Sequence, residues 1–322
     1  MSAADRAGRE PRSGEPVGRV ASLHRYPVKS MRGQTVDRVD VTPRGIAGDR
    51  AWGLVDRETG RVVSAKRPRR WGRIFELSAQ YVEQPVPGGR APAVRVRLPD
   101  GSSFETSRDK GERTRACAAL DDAVTGFLGR PVSLESESPE AATFEYHWPD
   151  MEGMTWKGRS RRDEITVHDI PPGTFFDSSS IVLLTTATLA RLAELEPEHS
   201  FEVARFRPNL VIETADEGFV ENDWVGHMLA IGDEVRLEIG KPCMRCVMVN
   251  LAQPGTDAGP GMTAGPAITA GPAITAGPGI SADPEILKAV FRHNEGNVGV
   301  KASVVAGGAI SSGDPVRLLR SG

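Results

Sequence analysis

Cysteine is scarce in this chain: three residues in 322, at positions 117, 243 and 246. So few thiols exclude a disulfide scaffold. A closed structural zinc site needs four ligands, and no His-x3–5-His pair occurs among the six histidines to supply them. No stretch reaches the roughly 20 apolar residues of a membrane helix, so no membrane partner is expected. A net charge of −3 excludes a protein built mainly to hold nucleic acid. There is no Gly-x4-Gly-Lys-Ser/Thr loop, and no Gly-x-Gly-x-x-Gly follows a strand, so neither a nucleoside triphosphatase nor a nicotinamide enzyme is supported. The first fifteen residues lack an apolar core and include Asp5, Glu10 and Glu15, which speaks against a secretory signal or a transit peptide. A reducing, cytoplasmic location is the expectation, and there a Cys-x-x-Cys pair serves catalysis or metal binding more often than structure.

What is present is an ordinary globular composition, 39% hydrophobic and 26% charged. The pattern predicts a β-rich α+β chain. Residues 1–16 read as a disordered tail. Short β-type runs separated by turn formers fill 17–135: Val20–Tyr26, Val36–Val41, Ala51–Asp56, Arg61–Ala65, Ile74–Val82 and Val94–Leu98. That spacing predicts a small N-terminal β-barrel or sandwich. A helix follows, with Cys117, Leu120, Val124, Phe127 and Leu128 on one face and Cys117 expected as a buried structural thiol.

Residues 136–164 read as a connector and 165–320 as a second β domain. In the latter, Thr185 or Thr186 caps a helix bearing Leu189, Leu192 and Leu195, and Asp283 with Pro284 opens another. Residues 258–281 are four imperfect Ala-Gly-Pro hexapeptide repeats, read as a low-complexity inserted loop.

The chemistry concentrates at Lys241-Pro242-Cys243-Met244-Arg245-Cys246, after the strand-like run Glu234–Ile239 and Gly240. Lys241 and Arg245 are expected to favour the thiolate, the form that binds metal or attacks an electrophile. A thioredoxin-like redox pair is not supported, because a strand-like run, Val247–Leu251, follows where a helix should open. A soft, redox-active metal and a persulfide both remain open for such a thiol.

Cations gather at other strand borders. Lys29 and Ser30 end the first strand, Arg50 follows a glycine turn, and Arg207 sits in a loop stiffened by Pro208. Arginine suits bidentate phosphate contacts. Asp177, Ser178 and Ser179 form a hydroxyl-rich loop of similar placement. Two basic clusters, Lys66–Arg73 and Arg159–Arg162, are either solvated faces or a site for a small polyanion.

Taken in order, Tyr26-Pro27-Val28-Lys29-Ser30, Gly48-Asp49-Arg50-Ala51-Trp52, Val63-Ser64-Ala65-Lys66, Phe176-Asp177-Ser178-Ser179, Arg205-Phe206-Arg207-Pro208-Asn209, Trp224-Val225-Gly226, Pro242–Cys246 and Gly313-Asp314-Pro315-Val316 resemble the MOSC-domain family with its preceding β-barrel domain. That group includes the mitochondrial amidoxime-reducing component and bacterial relatives. The resemblance implies a molybdenum–molybdopterin cofactor between the two domains, with Cys246 as metal ligand and catalytic centre. It implies that Lys29, Ser30, Arg50, Arg207 and Arg245 hold the pterin and its phosphate, while Asp177, Ser178 and Ser179 line the pocket. The implied reaction is a two-electron reduction of a small N-hydroxylated substrate, with electrons from a separate donor protein. A persulfide carrier on Cys246 and a non-catalytic cofactor carrier are the alternatives. Val247-Met248-Val249-Asn250 stands where relatives often carry threonines and an acidic turn, so the substrate wall differs.

Overall fold

A computed structural model describes residues 14–107, 110–150, 163–253 and 279–320. The Arg159–Arg162 cluster and nearly all of the Ala-Gly-Pro repeats lie outside the described residues. Seven strands close a barrel, in the order Leu210–Glu213, Ile181–Thr185, Asn297–Ala306, Val235–Met244, Met228–Ile231, Pro315–Leu319 and Glu15–Arg25. The last pairs back onto the first, Leu23 opposite Leu210, and closes the ring. Alternate residues point inward, as the period of a strand requires: Leu229 and Ile231, Val235, Leu237 and Ile239, Val316 and Leu318 meet in one buried core.

The opening strand therefore belongs by hydrogen bonding to the late barrel, although the sequence reading placed it with the N-terminal unit and gave residues 15 and 16 to a tail. The rest of the N-terminal half builds a second core from short ladders. Ser78–Tyr81, Val94–Arg97 and Ser103–Glu105 form one sheet, and Gly53–Asp56 pairs with Val132–Glu135. The helix Lys110–Leu128 lays Leu120 and Val124 against Trp52, Phe75 and Val96. Cys117 is half-buried rather than sealed in that core. Val62–Ala65 is buried and forms an isolated bridge, Val62 to Val55, and Gly72–Glu76 is a 3-10 turn ahead of its strand.

The expected connector contains structure of its own. Thr143–Trp148 pairs antiparallel with Glu164–Asp169, Tyr146 opposite Thr166. Thr185 caps the helix Thr186–Leu195, its hydroxyl accepting from Thr188 N at 3.1 Å. Asp283 accepts from Glu285 N at 2.9 Å at the start of Glu285–Asn294. The chain leaving at Gln253 and returning at Ile280 is tied by two backbone hydrogen bonds, 2.8 and 2.6 Å. Among the described residues no helix is long and apolar enough to cross a membrane.

Candidate functional site

The site begins with two backbone stretches lying side by side. Arg50 N donates to Tyr26 O at 2.7 Å, Trp52 N to Pro27 O at 3.0 Å and Lys29 N to Trp52 O at 2.9 Å. These bonds set Lys29 beside Arg50. A Cβ at Gly53 would collide with the ring of Phe175, so glycine there lets that ring close in. Phe175 O then accepts from Lys29 Nζ at 2.9 Å.

The sulfur comes from the other side. The strand carrying Cys243 runs through Gly240 to Met244, not ending at Ile239 as its sequence suggests. Its ladder slips three times, after Arg236, after Ile239 and after Pro242. Such bulges re-aim a strand, and Cys246 emerges two residues beyond its end. The run Val247–Asn250 is a 3-10 turn, not a strand. Its Met248, with Leu251, packs against the N-terminal core, while Val249 packs in the core beside the barrel.

One cavity joins these parts. It is lined by Lys29, Ser30, Arg50, Asp177, Ser178, Ser179, Arg207, Arg245 and Cys246, all the residues singled out from sequence. It is lined as well by Lys66, Lys301, Arg205 and Cys243. Seven of its lining side chains are Lys or Arg and one is acidic. Ser30, Arg50 and Arg207 all sit at positive φ, 65°, 49° and 50°. Non-glycine residues held in that region concentrate at functional sites.

The nine residues differ in how free they are. Arg245 donates to Val298 O and Phe206 O at 2.8 Å each, so its guanidinium braces the barrel. Ser179 Oγ donates to Ile181 O at 2.9 Å, and Ser178 Oγ meets Lys301 Nζ at 2.7 Å. Ser30 Oγ accepts from Ala65 N at 3.2 Å. Arg50 pairs with buried Asp49, and both Arg50 and Arg207 stack on Tyr26, at 4.8 and 4.2 Å from the ring centre. Arg207 Nη2 is buried with no hydrogen-bond partner among the described residues.

Charge is compressed here. Asp177 bridges Lys29 and Lys66, the latter at 2.9 Å. Burial raises the Asp177 carboxyl, but the two ammonium groups outweigh it and hold it far below the usual carboxylate range. Burial pulls Lys29 down to about 8 against the opposing pull of Asp177. Burial likewise lowers Arg207 to about 10. Lys66 ends raised, because Asp177 and Cys246 overcome its desolvation.

The expected source of a thiolate needs correction. Burial pushes the Cys246 thiol up, and the cation that most opposes this is Lys66, ahead of Arg245. Lys241 is exposed. The basic run around Lys66 is no polyanion face either. Arg67 pairs with Glu145, Arg69 with Asp163, Arg70 with Asp56 and Arg73 with Glu76. Lys66 alone of the five turns into the cavity. Its signal in the sequence was its place at the end of Val63-Ser64-Ala65-Lys66. Tyr146, part of the buried cluster that packs against Cys246, lies within the supposed connector.

Known proteins carry the same parts. The MOSC N-terminal beta barrel domain matches residues 17–131 and the MOSC domain residues 171–317. Mitochondrial amidoxime-reducing component 1 of Homo sapiens is 29% identical over 254 residues, covering 74% of this chain and 67% of that protein. Molybdenum cofactor sulfurase of Pyricularia oryzae is 26% identical over 301 residues, covering 75% of this chain but 35% of its own length. The YUAD protein of Bacillus subtilis aligns over 95% of this chain and 97% of its own at 10% identity and a TM-score of 0.41, too loose a likeness to add to the fold. With both domains matched in order, the chain belongs to the MOSC-domain proteins that carry the MOSC N-terminal β-barrel.

Proposed function

We propose that this protein binds a molybdenum–molybdopterin cofactor in the cavity and reduces small N-hydroxylated compounds with it. The observation that carries the reading is that Cys246 shares one cavity with seven lysine and arginine residues. The donor set fits such a group. A sulfur ligand suits a soft, redox-active metal. An unpaired buried guanidinium nitrogen, on Arg207, suits an anion that would complete it. Among the described residues no three His, Cys, Asp or Glu side chains cluster as a metal site, so Cys246 would be the protein's single ligand and the pterin would supply others.

In this reading Cys246 would hold the metal through its sulfur as the thiolate, the form that burial alone disfavours. Lys29, Arg50 and Arg207 receive the phosphate and ring edge, and Ser30 and Ser178 line the same hollow. Lys66 keeps a positive charge beside the sulfur, and Asp177 holds Lys66 and Lys29 at their stations. Arg245 and Ser179 act through the backbone they brace. Once bound, the cofactor supplies the two-electron chemistry that takes oxygen from the substrate nitrogen. Reducing equivalents come from a separate electron-donor protein.

Sulfur carriage is the second reading. Its support is the likeness to molybdenum cofactor sulfurases and the presence of Cys243 in the same cavity as Cys246. One experiment separates the two. Protein from a cofactor-competent host is analysed for molybdenum and pterin, then assayed with an artificial donor and an N-hydroxylated substrate. Stoichiometric metal that is lost in Cys246→Ala, together with turnover, supports the reductase. Metal retained in Cys246→Ala contradicts the ligand assignment. A persulfide adduct on Cys246 with no turnover favours the carrier.

A further inference from the structure

One cation lining the cavity has no part in holding the pterin or the sulfur: Lys301. Its Nζ meets Ser178 Oγ at 2.7 Å. An ammonium only donates, so the hydroxyl accepts here and keeps its own proton to donate elsewhere. Lys301 likewise keeps N–H donors beyond this bond. Among the described residues no carboxylate pairs with it, and Asp177, next to Ser178 in the chain, is already shared by Lys29 and Lys66. A lysine that needs only water turns outward, whereas this one is half-buried and lines the cavity.

The sheet register adds a second cation. The slip after Ile239 leaves Gly240 without a partner in the ladder and sets Lys241 directly opposite Lys301. Side chains of opposed residues share a face, and like charges there are destabilising. Lys241 is exposed and has no carboxylate partner among the described residues either. Burial pulls the Lys301 ammonium below its usual value, and Lys66, Lys241 and Arg245 add to that pull against Cys243. The protein therefore holds two unneutralised lysines in register at a cavity, with a free hydroxyl proton beside one of them. An anion relieves the repulsion and takes up the donors together.

We propose that Lys301 and Ser178, backed by the charge of Lys241, form a carboxylate subsite, and that the substrate taken into this cavity is an N-hydroxylated compound bearing a carboxylate. One ammonium N–H and one hydroxyl O–H match the two oxygens of that group. The substrate half rests on the function proposed above; the anion site does not.

The test compares benzamidoxime with 4-carboxybenzamidoxime in the molybdenum-loaded full chain with an artificial electron donor. Lys301→Met keeps the stem and removes the charge. In it the kcat/KM of the charged compound relative to the neutral one should fall about tenfold through KM, the scale of one charge-assisted hydrogen bond. An unchanged ratio overturns the subsite. Loss of molybdenum or pterin from Lys301→Met gives the lysine to the cofactor and overturns it as well. Ser178→Ala, at an exposed position, should lower the ratio about threefold. That variant decides the matter should Lys301→Met fail to fold, and an unchanged ratio there overturns the subsite too. In metal-free protein, benzoate binding followed by ligand-observed NMR should weaken about tenfold in Lys301→Met and less in Arg207→Met. No binding by the wild type, or an equal or greater loss in Arg207→Met, overturns the anion site. A wild-type protein that takes up no molybdenum overturns the cofactor reading and the substrate half with it, and benzoate then decides the anion site.

Discussion

Two buried charged groups in this molecule differ in how completely the protein answers them. Glu221, fully buried at one end of the barrel, accepts from Thr185 Oγ1 at 2.7 Å, Thr188 Oγ1 at 2.6 Å and Gly299 N at 3.0 Å. Those bonds tie a strand end, a helix start and a glycine in the facing strand. A Cβ at Gly299 would collide with Leu183 O, and its φ is +75°. Arg207 is buried too, yet its Nη2 has no hydrogen-bond partner among the described residues. Elsewhere among the described residues the unpaired buried guanidinium atoms are Nε positions of arginines whose terminal nitrogens are bonded: Arg25 to Gln84, Arg32 to Glu76 O and Arg70 to Asp56. Buried polar groups are normally satisfied. A carboxylate finished by the protein is architecture, and a guanidinium left unfinished in a cavity is prepared for something else.

The sharpest way to break this contrast is Glu221→Ala. It strands two hydroxyls and one amide and opens a void, so unfolding free energy should drop by about 3 kcal/mol. Molybdenum bound per folded molecule should not change. Denaturant unfolding with metal analysis of the folded fraction measures both, and a loss of metal at unchanged stability would erase the distinction.

His24 extends the architectural class to a group that titrates. It is buried between Ser22 Oγ at 2.9 Å and Thr35 Oγ1 at 3.4 Å, and burial lowers its pKa to about 4. The unfolded chain takes up the proton near 6.5, so it binds more protons than the folded one below that pH. Stability is therefore fully present above about 6.5 and lost as pH falls toward 4, by at most about 3 kcal/mol. Urea unfolding at pH 7 and pH 4.5 should show that loss, and His24→Gln should flatten it.

The same contrast explains what could be read from the chain. Alternation exposed the barrel strands, because one face of each is buried against a single core, as in Val235, Leu237 and Ile239. It failed where a segment is buried on more than one side. Val247–Leu251 looked like a strand but is a 3-10 turn wedged between two cores, and a short apolar run cannot tell these apart. The hairpin strand Thr143–Trp148 escapes that reading although Phe144, Tyr146 and Trp148 alternate, because its polar positions carry Glu145, paired with Arg67, and His147, hydrogen-bonded to Asp163, and read as linker. Lys29, Arg50, Arg207 and Cys246 were legible as individuals, each at a strand border. What the sequence could not show is pairing at a distance. Arg67, Arg70 and Lys66 look alike in a basic run, and only the fold gives the first two to Glu145 and Asp56 and the third to the cavity.

The smallest effect on folding is expected at Arg207. Its guanidinium pays the desolvation of burial with one nitrogen unanswered, and stacking on Tyr26 and Phe75 at 4.2 and 5.3 Å returns part of that. Arg207→Met keeps the side-chain length and removes the charge. Replacing a buried, incompletely paired charge with an apolar side chain of similar size is often neutral, so metal-free stability should move by less than about 1 kcal/mol. Cofactor retention through gel filtration should nevertheless fall at least about tenfold, the loss of one charge-assisted contact to an anion. Equal losses in stability and retention would place Arg207 with Glu221, among the groups that hold the fold. A loss of retention alone places it with Cys246, and the residue is then useful because the protein leaves it unfinished.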